Sequence, residues 1–421
     1  MNIFDVSSIV VCLTSVMMFV NYKYLKLPMT IGVMLLSIII SFFIFLYGTF
    51  NISFASSVIA LIETADFNAT LMGGMLSFLL FAGSLHINLD DLIEQKIIIS
   101  ILATLGVIFS TFLIGTTSFY VFNALGLSID YLYCLLFGAL ISPTDPIAVL
   151  GILKETEAPK SLETSIAGES LFNDGVGIVV FTVILSIIDI TYSSSVIATI
   201  SITEIVTLFA EEAVGGILFG LLIGYIFYLL LKSIDNYSLE IMLTLALVMG
   251  GYSLAHYFHI SGPLAMVVSG LFIGNHGKMF AMSTNTHKQL FSFWELIDEF
   301  LNAFLFVLIG FQILAITFKF SFIIAATILI PLILLVRYAG ISISLLIAAN
   351  QSNLPKGSDK IMTWCGLRGG ISIALALSLP DFPNYPGVKP LLIAVTFLVV
   401  AFSIFVQGLT SKKYVDSIID A

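Results

Sequence analysis

The sequence predicts an all-α polytopic membrane protein of about 13 transmembrane helices, with inverted repeats and two discontinuous helices. Three observations carry that prediction. Of the 421 residues, 59% are hydrophobic and only 10% are charged, whereas a soluble domain is about 25% charged. Apolar runs of the length needed to cross a bilayer, about 20 residues, recur from one end of the chain to the other. The lysines, finally, fall almost entirely on one side of the membrane once those runs are threaded through it.

Taken in order, the runs are 6–20, 28–47, 69–85, 97–124, 132–152, 165–190, 205–231, 239–258, 262–275, 291–316, 321–349, 360–379 and 389–410. The first follows Met-Asn-Ile-Phe-Asp, which lacks a basic region and a small-residue cleavage site, so it is expected to be retained as a span. Residues 51–66, with Glu63 and Asp66, read as a surface helix or part of an extra span. Cys12, Cys134 and Cys365 lie in apolar runs without metal or disulfide spacing, and read as small core residues. No cofactor and no nucleic-acid contact is expected.

The charges test the layout independently. Lys23, Lys26, Lys96, Lys154, Lys160, Lys232, Lys278, Lys288, Lys356, Lys360, Lys412 and Lys413 fall on one side, and only Lys319 and Lys389 on the other. Positive charge marks the cytoplasmic side. The N-terminus is therefore expected outside and the C-terminus in the cytoplasm. Both arginines, Arg337 and Arg368, lie within spans, where ion pairs or carbonyl contacts inside the bundle are expected. His86, His276 and His287 read as cytoplasmic loop residues and His256 and His259 as outer ones. Glu211 and Glu212 read as the start of span seven. Glu295, Asp298 and Glu299 read as the start of span ten, with Glu299 expected to be the one that reaches inward.

Two spans are interrupted. The fifth contains Ser142-Pro143-Thr144-Asp145-Pro146, whose prolines remove backbone donors and disfavour helix before them. The twelfth contains Gly366-Leu367-Arg368-Gly369-Gly370. Broken spans at matching places in two halves point to a transport site near the midplane. The layout gives repeat 1 over about 6–190, a linker helix over 205–231 and repeat 2 over about 239–410. A broken helix exposes about half a charge at each end, which Asp145 and Arg368 can offset.

Between the breaks in sequence lies Gly168-Glu169-Ser170-Leu171-Phe172-Asn173-Asp174-Gly175, at the head of span six. Glu169, Ser170, Asn173 and Asp174 fall within an arc of about 140° on a helix. Acids at membrane depth are costly and mark function. Hydroxyls, carboxylates and freed carbonyls are the oxygen ligands a hard cation takes. Burial disfavours the charged form of any carboxylate, so a proton and a cation would compete for the same group. A cation channel and an intramembrane aspartyl protease remain as alternatives. The channel has no need for paired broken spans, and the protease usually carries Gly-x-Gly-Asp where this chain has Asn-Asp-Gly-Val-Gly.

These three motifs, in this order, resemble the signatures of the monovalent cation:proton antiporter-1 family, which includes the NhaP-type sodium/proton antiporters. The resemblance covers nearly the whole chain. It implies exchange of a monovalent cation (Na+, Li+ or K+) for H+ by alternating access, and a homodimer in the bacterial cytoplasmic (inner) membrane. It also implies a core bundle of spans four to six and eleven to thirteen that moves against a scaffold. Carried over by motif, the cation would sit among Thr144, Asp145, Glu169, Ser170 and Asp174, with Asp174 exchanging cation and proton. Asn173, Arg337 and Arg368 would support it, and Asn173 before Asp174 implies one-for-one, electroneutral exchange. The chain departs from the family in span three, where Leu79-Leu80-Phe81-Ala82-Gly83-Ser84 lacks the glutamate that relatives use to hold the asparagine. Asn173 is therefore expected to find Ser84 or backbone instead. Only a short stretch follows residue 410, so the long regulatory domain of the animal members is expected to be absent.

Overall fold

The computed structural model of the chain describes residues 3–51, 74–145, 147–153, 156, 158–193, 202–348 and 354–419. Among these residues the secondary structure is helical, with a single isolated bridge and no strand. Spans one and two are Ile3–Val20 and Met29–Phe50. Span three is described as a helix over Leu76–Leu85; its expected beginning and the Glu63/Asp66 stretch lie outside the described residues. A short helix, Leu89–Glu94, precedes span four, Lys96–Ala124. Spans six to nine are Lys160–Ser193, Ile202–Lys232, Tyr237–Tyr257 and Gly262–Phe272. Spans eleven and thirteen are Phe320–Ile347 and Val388–Ile419. Eight of these helices are long and apolar enough to cross a bilayer by themselves.

The interrupted spans are interrupted where the sequence places the breaks. Span five is Tyr131–Ile141 followed by Ile147–Leu153, and span twelve is Ser358–Cys365 followed by Gly370–Leu377. The Asp145 N–H donates to the Leu367 carbonyl at 2.8 Å, in an antiparallel bridge. That bond gives two backbone groups, released from their own helices, a partner inside the bundle, as a dry interior demands.

Span ten departs from the expected range. It runs Thr284–Gln312, because Ser283 caps it by accepting from the Thr286 N–H at 3.3 Å. The start is seven residues earlier than the apolar run suggests. Asp298 therefore sits about 21 Å along the helix rather than in its first turns.

Close packing holds the broken spans against their neighbours. A Cβ on Gly138 of span five would overlap the Thr111 carbonyl of span four, and one on Gly115 would come within 2.9 Å of Leu135 Cα. Small residues of this kind let membrane helices approach to backbone contact. One buried apolar cluster runs through spans three to thirteen. A second joins Ile31 and Met34 of span two, Leu305 and Ile309 of span ten, and Ile373 of the second half of span twelve. Large apolar side chains such as Phe42, Phe45, Leu218 and Leu222 face outward from spans two and seven, as lipid-facing surface does.

Candidate functional site

Span six brings its polar arc against the break in span five. Gly177 makes the approach possible, since a Cβ there would overlap the Pro143 ring. Thr144 is then held from two sides. Its N–H donates to Asn173 Oδ1 at 3.2 Å, and Asn173 Nδ2 donates to its Oγ1 at 2.8 Å. The Thr144 and Ser170 hydroxyls lie 3.1 Å apart, within hydrogen-bond reach. All three side chains are at least 98% buried. Asn173 thus solves its partner problem within the broken span. Ser84, the other candidate, donates instead to the Phe81 carbonyl of its own helix at 2.9 Å.

Asp174 is buried beside this latch, within electrostatic reach of Asp145. Asp145 is half-buried and packs on the second break: a Cβ on Gly369 would overlap its carboxylate. Thr144, Asp145, Ser170 and Asp174 therefore converge where the two breaks meet span six. They offer carboxylate and hydroxyl oxygens to a hard cation.

Glu169 stands apart from that group. Both of its oxygens are engaged by Arg337, Oε1 by Nη1 and Oε2 by Nη2, the latter at 3.0 Å. Arg337 also donates to the Met362 carbonyl at 3.4 Å. A two-pronged guanidinium–carboxylate pair in a buried setting is a strong, directional contact. It closes one wall of a narrow cleft lined also by Gly106, Ser110, Ser142 and Asn173. The carboxylate expected among the cation ligands is thus occupied by an arginine.

Arg368 braces the breaks. Its Nη1 donates to the Ser142 carbonyl and, at 3.0 Å, to that of Pro143. These oxygens lie in the break of span five, between its two half-helices. Its own N–H donates to Ser403 Oγ at 2.8 Å; Ser403 donates on to Gln407 Oε1, and Gln407 Nε2 reaches the Trp364 carbonyl at 2.9 Å. Ser403 and Gln407 sit in a π-helical turn of span thirteen, Ser403–Gly408. Such bulges collect at functional sites because the widened turn re-aims side chains.

One inward-facing acid escapes the sequence reading. In span ten Glu295 and Glu299 are exposed, while Asp298 is half-buried and accepts from Asn302 Nδ2 at 3.1 Å. The early Ser283 cap was the signal that could have found it, because it moves the whole acidic triplet from the helix start to mid-span.

A bundle of membrane helices with two opposed breaks, crossed beside a buried acid, defines a secondary transporter for a small cation. The family model for transmembrane sodium/hydrogen exchangers matches residues 9–416, and the chain belongs to that family. It is 45% identical over 414 residues to the Na+/H+ antiporter NhaP of Pseudomonas aeruginosa, covering 96% of this chain and 95% of that protein. It is 35% identical over 356 residues to the Na+/H+ antiporter NhaH of Halobacillus dabanensis, covering 84% of each. The fold is similar to that of the sodium proton antiporter MjNhaP1 of Methanocaldococcus jannaschii at pH 8, with a TM-score of 0.74 over 96% of both chains at 21% identity.

Proposed function

We propose that this chain is a secondary antiporter that exchanges Na+ for H+ across the membrane, one for one, with Asp174 as the group that carries either ion. The observation that supports it most is the convergence of Asp174, Asp145, Thr144 and Ser170 at the crossing of the two broken spans. Asp174 takes the proton or, ionised, the cation. Thr144 and Ser170 supply neutral oxygens, and Asn173 keeps Thr144 in place. Glu169 serves as a structural counter-charge to Arg337 rather than as a ligand. Protonated Asp174 and cation-loaded Asp174 are both compensated in charge, and an empty ionised site is not. If the bundle moves only when the charge is compensated, the two fluxes are coupled.

Spans four to six and eleven to thirteen form the moving bundle in this reading, and the remaining spans the scaffold. The scaffold's outward apolar faces on spans two and seven suit a homodimer in the bacterial inner membrane. The lysine asymmetry favours an outside N-terminus and a cytoplasmic C-terminus.

The test is dissipation of a pH gradient in everted membrane vesicles, with Na+, Li+ and K+ added in turn. Wild type should collapse the gradient on addition of Na+. Asp174→Asn should leave it standing while accumulating in the membrane as a folded protein. Full exchange by that variant would remove Asp174 from the mechanism.

A further inference from the structure

We propose that Asp298 is the acid through which the cation passes between the cytoplasm and the Asp145–Asp174 site, so that it sets cation affinity at that face alone. The inference rests on the antiport reading and extends it to a helix outside the three motifs.

Its basis is the stripe of span ten that carries Asp298. Seven residues further on, and so almost in line with it on the helix, Leu305 packs on Gly370 closely enough that a Cβ there would overlap its side chain. The adjoining Gly369 is the residue that covers the Asp145 carboxylate. Asp298 therefore lies about 10 Å along the same face, toward the end of span ten flanked by Lys278 and Lys288. That is the cytoplasmic end in the proposed orientation. Asp145, across the packed faces, lies within electrostatic reach of Asp298. Asn302, 97% buried, holds the Asp298 carboxylate through its bond to Oδ1 and is itself anchored on the Asp298 carbonyl at 2.8 Å. Among the described residues no lysine or arginine forms an ion pair with Asp298.

A half-buried acid within electrostatic reach of a second acid, with no basic ion-pair partner among the described residues, is well placed to attract a small cation. Asp298 belongs to the scaffold side of the proposed movement, and Asp145 to the moving side. Their separation therefore changes with the transport state. A cation arriving from the cytoplasm meets Asp298 first and is handed to Asp145 and Asp174. When the site opens outward, Asp298 is left behind and has no influence.

The experiment compares Asp298→Asn with wild type in everted vesicles, which present the cytoplasmic face to added Na+, and in right-side-out vesicles. The expected result is a rise of about tenfold in the apparent KM for Na+ in everted vesicles, the size of one charge lost at a partly screened distance. Maximal rate, and KM in right-side-out vesicles, should stay within about twofold. Asp298→Glu should restore the everted KM, and Asn302→Ser, which frees the carboxylate without removing it, should give a smaller one-sided rise. An unchanged everted KM in both Asp298→Asn and Asn302→Ser would overturn the proposal. So would an equal effect on both faces, or a loss of maximal rate alone, which a merely structural residue would give. Absence of cation-driven proton movement in wild type would instead overturn the antiport reading.

Discussion

Glu169 and Asp174, five residues apart on one helix, have opposite physical circumstances. The Glu169 carboxylate is fully engaged by a buried guanidinium, whereas Asp174 lies within electrostatic reach of another acid. Removing the Glu169 charge should leave Arg337 buried and unpaired, at a cost of about 3–5 kcal/mol. Glu169→Gln should therefore lower the melting temperature of the detergent-solubilised protein markedly. The double variant Glu169→Gln/Arg337→Met should be more stable than Glu169→Gln alone, because it takes away both charges. Asp174→Asn should melt like wild type or higher, since it removes a buried charge that has no ion-pair partner among the described residues. A Glu169→Gln protein as stable as wild type would show that the pair does not hold spans six and eleven together.

At the scale of helices, the breaks work because neighbouring backbones come close enough to support them. Gly138 is the clearest case, with the span-four backbone occupying the space a methyl would need. Gly138→Ala should force spans four and five apart, displace Ser142 from Thr111 (hydroxyls 3.3 Å apart), and destabilise the protein by about 1–3 kcal/mol. A thermal melt checks this; Gly151→Ala, where a Cβ meets nothing within 4 Å, is the control and should be nearly silent. Much of this scale was legible in the sequence, because length and hydropathy place spans and Pro143, Pro146 and the glycines of 366–370 announce the breaks. The start of span ten was not, since a polar first turn capped by Ser283 carries no hydropathy signal. Nor was the Glu169–Arg337 pair, whose members are 168 residues apart and related only by packing. The Asn173–Thr144 latch was hidden for the same reason. Sequence spacing shows which residues share one helix face but not what lies opposite.

For the whole molecule, the decisive quantity is the charge that crosses the membrane in one cycle. Asn173 is neutral and its amide is bonded at both ends to Thr144, so it does not add a titrating group beside Asp174. Arg337 is compensated by Glu169, and Arg368 is bound to backbone carbonyls of the break, so both are held in the bundle in either loading state. If Asp174 then carries one Na+ one way and one proton the other, no net charge moves. In proteoliposomes with a potential clamped by potassium and an ionophore, Na+-driven proton flux should be the same at 0 and at −100 mV. One uncompensated charge would be worth about 2.3 kcal/mol over that interval, enough to shift the equilibrium about fiftyfold. A strong dependence on the clamped potential would mean that Asp145 also exchanges its proton during the cycle. Repeating the measurement in Asp145→Asn would then locate the second charge, because the dependence should disappear with it.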